Sequence, residues 1–336
     1  MAQALSNRAP GSDCLTSAGF AGMNREAAPL AFLRAADTFG VRGALVTICA
    51  LNGGAPKPLG THMAVLEDGR YLGYVSGGCV EPAIAAEVAG VIARGKNEIL
   101  TFGRGSRFID IRFPCGGGID VHVQVDPKPS ILGEALSRIE ARRPFSLLFD
   151  QGTGGMRLSD GAEGATGYID KAFRRRYLPR TRLLLVGRGA DLEVAARVAK
   201  AAELDVTLAT PDEATAAAVA DMGLPTQILR TPSQAWEMPI DPWTATVLLF
   251  HEHEWEGAML ARAVASDGFY VGALGSQRTH LQRRERLLGI GVPEALINRI
   301  RGPIGLVDRA REPGVLALSI LAEISEVRMI ADAAVS

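Results

Sequence analysis

A short apolar strand that runs into a glycine turn and then a helix is the feature that most limits how this chain can fold. The strand spans 182–186, the turn is Gly187-Arg-Gly189, and an alanine-rich helix is predicted over 191–202. Further apolar strands are predicted at 205–208, 244–250 and 268–271. Strands that alternate with helices are typical of a doubly wound parallel sheet. We therefore predict an α/β protein whose C-terminal domain, residues 181–336, has a Rossmann-like fold.

The sequence before this domain predicts a mixed α/β domain over residues 21–180, preceded by a mobile tail at 1–20. Strands are predicted at 43–49, 62–66, 71–75, 98–102, 119–125 and 145–149, and helices at 26–39, 81–94 and 131–141. The glycine-rich segment 151–167 is predicted to be a loop. The basic segment 171–182 is interpreted as a solvated linker, with an anion-binding patch as the alternative.

Charge and hydropathy argue against several classes of protein. The chain has 36 Lys and Arg against 37 Asp and Glu, and this balance argues against capture of nucleic acid or anionic lipid. The uncharged run 43–56 is shorter than the roughly 20 residues that a membrane helix needs, so no membrane span is predicted. The N-terminus lacks the basic and apolar regions of a secretory signal, so we predict a cytoplasmic protein.

One glycine turn carries a cysteine at the predicted start of a helix. In Ser76-Gly77-Gly78-Cys79-Val80-Glu81, the two glycines leave backbone amides open to a ligand. A helix N-terminus lowers the pKa of a thiol, which favours the reactive thiolate at Cys79. The charge of Glu81 suits the helix dipole in the first turn. The alternative is a tight strand-to-helix turn around a small buried cysteine.

A second turn repeats this composition in Phe113-Pro114-Cys115-Gly116-Gly117-Gly118. Two cysteine–glycine loops in one small domain predict a site where the thiolates of Cys79 and Cys115 meet a phosphate or a soft metal. Cys14 and Cys49 are predicted to be passive. In the cytoplasm, we expect all four cysteines to be thiols rather than disulfides.

The glycine turn of the C-terminal domain resembles the start of a dinucleotide-binding fingerprint. Gly187 and Gly189 would let the backbone approach a phosphate at the helix N-terminus. Leu192 stands where the full pattern has Gly or Ala, and Thr210 stands where an acid would hold the ribose. Two interpretations remain open here, an NAD(P) site and a Rossmann-like fold that binds no nucleotide.

Other polar residues are predicted at the carboxyl edge of the same sheet. Gly275 and Ser276 end one strand, and Arg278 begins a basic helix that also carries Arg283, Arg284 and Arg286. This helix is either a solvated basic face or an anion clamp. His251 and His253 are two apart, which on a strand would aim both rings at one metal ion, as in a metal-dependent hydrolase. The alternative is that they are polar loop residues at the edge. His62 and His122 are predicted on strand surfaces.

These motifs together resemble the XdhC/CoxI family of accessory proteins for xanthine dehydrogenase and related molybdenum hydroxylases. The resemblance covers roughly residues 25–330. In the first domain it depends on Gly73-Tyr-Val-Ser-Gly-Gly-Cys79-Val-Glu81 and Cys115-Gly-Gly-Gly118. In the second it depends on Tyr270-Val-Gly-Ala-Leu-Gly-Ser276, Gly302-Pro-Ile-Gly-Leu306 and the closing segment 318–324. The chain departs from the family pattern at Lys57, where the first glycine loop usually has Arg, and after Leu306.

The resemblance implies a protein that binds the molybdenum cofactor, protects it, assists its sulfuration with a cysteine desulfurase and inserts it into an apo molybdenum hydroxylase of the xanthine dehydrogenase type. A homodimer is also implied. The residues expected to bind the cofactor are Gly77, Gly78, Cys79, Glu81, Cys115, Gly116, Gly117, Gly187, Gly189, Gly275, Ser276 and Arg278, with Cys79 and Cys115 facing the metal. The alternative function is an NAD(P)-dependent oxidoreductase that uses the C-terminal domain.

Overall fold

The structure is a computed structural model of the 336-residue chain. It describes residues 15–20, 22–55, 57–78, 80–106, 113, 116–234, 239–250 and 253–334. The chain divides between Pro179 and Arg180 into two compact units. Within the described residues, none of the helices is both long enough and apolar enough to cross a lipid bilayer.

The first unit is built on a five-stranded antiparallel sheet with the strand order β3-β2-β1-β5-β4. Its strands are β1 (Gly43–Asn52), β2 (His62–Leu66), β3 (Tyr71–Gly73), β4 (Glu98–Gly103) and β5 (Gly118–Val125). Its helices are α1 (Ala28–Thr38), α2 (Glu81–Arg94) and α3 (Pro129–Glu140). A short 3-10 helix at Ser17–Phe20 precedes them, and the ring of Phe20 packs edge-on against Phe32 of α1.

Helix α2 covers one face of this sheet because its apolar residues share one side. Ile84, Val88 and Val91 recur at helical spacing and are fully buried against β1, β2 and β5. The helix ends at Gly95, whose φ of +67° lies in the left-handed region that glycine adopts without strain. Helices α1 and α3 pack on the opposite face.

A second antiparallel sheet covers the rest of that opposite face, and it corrects two predictions. Its strands are β6 (Phe145–Asp150), β7 (Met156–Asp160), β8 (Gly167–Ile169) and β9 (Ala172–Tyr177), in the order β7-β6-β9-β8. Segment 151–167 therefore contains a strand and is not only a loop. The basic segment 171–182 is not a solvated linker, because it contains strand β9, in which alternate residues face inward and both Phe173 and Tyr177 are buried. Charged residues between them hid this alternation in the sequence.

The prediction that His62 and His122 lie on strand surfaces is wrong. Their side chains are 7% and 3% exposed, because the second sheet covers the face from which they project. His62 Nδ1 lies 2.8 Å from Thr47 Oγ1, and its ring stacks on Tyr177. Burial lowers the pKa of His62 to about 3, so this imidazole is neutral at pH 7.

The second unit confirms the predicted Rossmann-like fold. Its six parallel strands have the order β12-β11-β10-β13-β14-β15. They are β10 (Arg182–Gly187), β11 (Asp205–Thr210), β12 (Thr226–Ile228), β13 (Thr244–Leu249), β14 (Tyr270–Ala273) and β15 (Ile300–Arg301). The helices are α4 (Ala190–Ala201), α5 (Glu213–Val219), α6 (His253–Ala265), α7 (Gln277–Gly289), α8 (Glu294–Ile297) and α9 (Pro313–Ala334), with a 3-10 turn at Ala220–Met222. Helices α4 and α9 cover one face, and α6, α7 and α8 cover the other.

Candidate functional site

The glycine loops of the first unit leave its five-stranded sheet at the same end. Asn52 at the end of β1 and Gly103 at the end of β4 both pair with Gly118 at the start of β5. Gly73 at the end of β3 pairs beside the start of β2. The loops 53–61, 74–80 and 104–117 therefore share one end of the sheet. Cys79 and Cys115 belong to two of these loops but lie outside the described residues.

Glu81 closes the first cysteine–glycine loop from the inside. Its carboxylate is fully buried and accepts hydrogen bonds from the Ser76 amide at 2.7 Å and from the Ser76 hydroxyl at 2.7 and 2.8 Å. Glu81 is one of the residues expected to bind the cofactor, and this pairing engages its carboxylate within the loop. Gly77 and Gly78, in contrast, are exposed between the two residues. The loop thus presents bare backbone to solvent while its ends are held together.

The second glycine loop packs against the loop that follows β1. A Cβ on Gly117 would overlap the carbonyl oxygen of Gly54, so the two backbones approach more closely than any side chain allows. The Arg104 amide donates to the Gly117 carbonyl at 3.0 Å. Gly116, with a φ of +68°, has no atom within 4 Å of an added Cβ. Packing therefore explains Gly117, and Gly116 is open to solvent.

In the second unit, Gly187 and Gly189 lie where the parallel strand β10 ends. A Cβ on Gly187 would lie 2.5 Å from the carbonyl oxygen of Leu249, so this glycine lets β10 and β13 lie side by side. The Gly189 amide donates to the Thr215 hydroxyl at 2.9 Å. The same hydroxyl donates to Asp212 at 2.5 Å, and the hydroxyl and amide of Thr215 lower the pKa of Asp212. A backbone donor that a nucleotide phosphate would need is therefore already occupied.

The surroundings of this turn also disfavour an anion. Asp191 and Glu193 occupy the first turn of α4, where their charges oppose a phosphate at the helix N-terminus. Leu192 is fully buried in the core, and Thr210 is fully buried at the end of β11. The Thr210 hydroxyl accepts from the Asp212 amide at 3.2 Å. Leu192 and Thr210, the two residues that depart from the dinucleotide fingerprint, are therefore both part of the buried interior.

The turn after β14 carries Gly275, Ser276 and Arg278. Ser276 caps α7, because its hydroxyl accepts from the Thr279 amide at 3.2 Å, and Arg278 is exposed. The helix is not a uniformly solvated basic face. Arg283 is buried and donates from Nη2 to Glu256 at 2.5 Å and to the Leu274 carbonyl at 2.6 Å, so it anchors this turn from below.

The comparisons with known proteins point to the same family in both units. Residues 38–103 match the XdhC and CoxI family, and residues 183–324 match the XdhC Rossmann domain. The molybdenum cofactor insertion chaperone PaoD of Escherichia coli strain K12 is 35% identical over 285 residues, which is 85% of this chain and 83% of that protein. The chain belongs to the XdhC and CoxI family.

A solved structure agrees with this fold. A crystal structure described as a xanthine dehydrogenase from Bacillus halodurans aligns with a TM-score of 0.69 and 19% identity, covering 90% of this chain and 96% of that one. At 19% identity, this alignment supports the fold of the present chain and carries no information about its chemistry.

The structure describes the backbone of one of the two histidines that follow β13 in this family member. His253 is the first residue of α6, so it lies on a helix rather than on a strand. His251 lies outside the described residues. Across the described ranges, no group of three or more His, Cys, Asp or Glu could hold a metal ion.

Sequence reasoning missed the residues that hold the loop after β15. Glu323 of α9 accepts from the Tyr270 hydroxyl at 2.6 Å and from the Gly305 amide at 2.8 Å. Ser319, one turn earlier on the same helix, accepts from the Val307 amide at 2.7 Å. Ser319 and Glu323 are four residues apart on α9 and therefore share one face, and this spacing was the available signal. The family segments 302–306 and 318–324 are therefore one packed unit.

Proposed function

We propose that this chain is a molybdenum cofactor insertion chaperone for a molybdenum hydroxylase. The observation that carries the proposal is the 35% identity to the chaperone PaoD, which extends over both units. The glycine loops at one end of the first sheet support it, because they supply the exposed backbone that a phosphate-bearing cargo requires. When bound, the cofactor supplies the molybdenum centre that the hydroxylase needs.

The residues at this end of the first sheet fit such a cargo. Gly77 and Gly78 are exposed, with no side chain to block approach to their amides. Lys57 lies in the loop after β1 at the same end and provides a cation for a phosphate. In our proposal, these residues hold the cofactor and Cys79 and Cys115 face its metal. Gly187, Gly189, Gly275, Ser276 and Arg278 of the second unit remain proposed contacts.

The finer steps belong to the same proposal. The chain protects the cofactor, assists its sulfuration with sulfur from a cysteine desulfurase and passes it to an apo-enzyme of the xanthine dehydrogenase type. It acts as a homodimer. Soft thiolates suit both a molybdenum centre and a transferable sulfur, which is why the two cysteines are assigned to this role.

Gly77 offers a clean test of cofactor binding. A Cβ at this position meets no atom within 4 Å, and its φ is outside the left-handed region, so Gly77→Ala should leave the fold intact. The added methyl group would meet a ligand that approaches the loop, at a cost of about 1–3 kcal/mol. We expect molybdenum and pterin retained by chain purified from a molybdenum-replete host to fall by roughly tenfold.

Gly289→Ala is the matched control, because a Cβ there also meets no atom within 4 Å. This variant should retain as much molybdenum as the unmodified chain. Equal retention by Gly77→Ala and Gly289→Ala would reject the assignment of the first glycine loop.

The cysteines are tested in the same way. Cys79→Ala and Cys115→Ala should each lower molybdenum retention and the activation of an apo molybdenum hydroxylase. Cys49→Ala is the control, since Cys49 is buried inside the first unit, where its thiol donates to the Asp120 carbonyl. Unchanged retention in both variants would remove the thiols from the proposed site.

A further inference from the structure

A large aromatic side chain of the first unit is exposed to solvent beside the first cysteine–glycine loop. Tyr74, the first residue of the loop 74–80, is 58% exposed, more than any other large apolar side chain that the structure describes in this unit. Tyr71, three residues earlier on β3, packs against the core. Within the described ranges, Tyr74 belongs to neither core cluster of the unit. Core packing therefore does not account for an aromatic ring at this position.

The backbone on both sides of Tyr74 is held in place. Gly73 pairs with Met63 in the sheet, and a Cβ on Gly73 would lie 2.8 Å from the His62 carbonyl oxygen. On the other side, Val75 is fully buried in the core. A tyrosine side chain has two rotatable bonds, so a ring on a fixed backbone loses little conformational entropy when it contacts a ligand. Tyr74 is therefore well placed for a contact from the solvent side.

The ring of Tyr74 lies beside the exposed backbone of the same loop. A Cβ on Gly78 would be 4.0 Å from Tyr74 Cε1, which is a van der Waals contact distance. Gly77 and Gly78 are themselves exposed. An aromatic face stacks on planar ring systems, and backbone without side chains lets a phosphate approach its amides. The two features side by side suit a ligand that carries both a flat heterocycle and a phosphate group.

We propose that Tyr74 stacks on the pterin ring of the molybdenum cofactor, while the backbone of Gly77 and Gly78 contacts the cofactor phosphate. This inference rests on the proposed function, and it adds the residue that recognises the organic part of the cargo. Stacking of a heterocycle on an aromatic side chain raises affinity by roughly tenfold or more, and it requires the ring but not the phenolic hydroxyl. Tyr74 therefore selects a flat cargo, whereas glycine backbone alone would accept any small anion.

The first test measures the molybdenum and pterin retained by the full-length chain after purification from a molybdenum-replete host. Tyr74→Leu removes the ring and should lower retention of both by roughly tenfold, whereas Tyr74→Phe keeps the ring and should retain as much as the unmodified chain. Tyr168→Leu is the matched control, because Tyr168 is 48% exposed on β8 of the second sheet. Equal retention by Tyr74→Leu and the unmodified chain would overturn the stacking and leave the proposed function standing. An unmodified chain that holds neither molybdenum nor pterin would overturn both.

The second test uses fluorescence and does not depend on a loss of binding. None of the three tryptophans of the chain lies in the first unit, so Tyr74→Trp adds a single indole there. Molybdopterin released from a molybdenum hydroxylase is the probe, and we expect it to quench most of the emission of the added indole. Tyr168→Trp, the matched control, should be quenched far less. Equal quenching of the two added indoles contradicts the stacking, and this comparison decides the question even if Tyr74→Leu does not fold.

Discussion

At the scale of single residues, the structure distinguishes residues that hold the glycine loops in place from residues that are exposed to a ligand. Glu81 and Gly117 belong to the glycine motifs, yet each has a structural role that accounts for its identity. Glu81 pairs with Ser76, and Gly117 allows two loops to touch. Gly78 and Gly116 have φ values of +102° and +68°, which favour glycine, whereas Gly77 has neither a left-handed φ nor a close contact, and all three are exposed.

We predict that Glu81→Ala destabilises the first unit by about 3 kcal/mol, because it leaves the buried amide and hydroxyl of Ser76 unpaired. Glu81→Gln keeps one acceptor oxygen and should lose less. Hydrogen exchange of the α2 amides measures the change in the free energy of local unfolding. Glu87→Ala, on the same helix but half-exposed, is the control and should change it little. Equal effects of the alanine variants at 81 and 87 would contradict the pairing.

His62 predicts a pH dependence of stability. Its pKa is lowered from 6.5 to about 3 by burial and by Arg175, so the unfolded chain binds more protons than the folded chain between these values. Stability is therefore complete above pH 6.5 and is lost as the pH falls toward 3. From pH 7 to pH 5, His62 should lower the free energy of unfolding by about 2 kcal/mol.

His62→Phe removes this titration. The difference in stability between the unmodified chain and the variant, measured by hydrogen exchange of β1 and β2 amides, should shrink by about 2 kcal/mol over that interval. A difference that is the same at pH 7 and pH 5 would show that His62 does not titrate as the burial requires.

At the scale of elements, loops are positioned by close backbone contact and by single helices. The loops after β1 and before β5 meet at Gly54 and Gly117. Helix α9 holds the loop 302–307 through Ser319 and Glu323, and Arg283 of α7 anchors the turn after β14. In the last two cases a side chain of a helix binds the backbone of a loop. In the first, the absence of a side chain at Gly117 lets two loop backbones come into contact.

We predict that Gly117→Ala destabilises the first unit by about 3 kcal/mol or more, since the clash is with backbone and cannot be relieved by a rotamer change. Gly77→Ala should change stability by less than about 0.5 kcal/mol, as is usual for a substitution away from special features. Denaturant unfolding of both variants checks this contrast. Similar midpoints for the two would mean that the loops at 54 and 117 are able to move apart at little cost.

At the scale of the whole molecule, two units with separate cores carry two sets of glycine loops, and the family match includes both. In the first set, Gly77 and Gly78 present exposed backbone, whereas the Gly116 amide donates to the Phe113 carbonyl at 2.9 Å. The second set has the outline of a nucleotide site, but Thr215 accepts from its amide and acidic residues flank it. In the Rossmann-like unit, the Gly189 amide at the turn where a nucleotide would bind is therefore already engaged by a side chain of the same unit.

We predict that neither NAD(H) nor NADP(H) raises the melting temperature of the full chain, whereas molybdenum cofactor does. A ligand present at about 100 times its Kd stabilises the folded state by roughly 2.7 kcal/mol, which thermal unfolding detects. A Thr215→Val variant removes the hydroxyl that accepts from the Gly189 amide, so the same measurement on this variant tests whether that hydrogen bond excludes the nucleotide. A shift with NAD(P) alone in the unmodified chain would favour the oxidoreductase alternative over the chaperone.

Local patterns were sufficient to predict much of the fold. The strand 62–66 and the helix 81–94 were predicted with the bounds observed, because alternation and helical spacing are visible within a few residues. The parallel sheet followed from the alternation of strands and helices. Strand β9 was missed because three arginines interrupt its apolar residues, and only its pairing with β6 shows which side chains face inward.

The sequence alone determined the α/β class, the Rossmann-like unit, the family and the positions of the glycine turns. Tertiary structure decided what those turns do: it brought three loops to one sheet end, paired Glu81 with Ser76 and occupied the Gly189 amide with Thr215. The division has a physical cause, because propensity and periodicity act between neighbours in sequence, whereas hydrogen-bond pairing and desolvation depend on residues that only folding brings together.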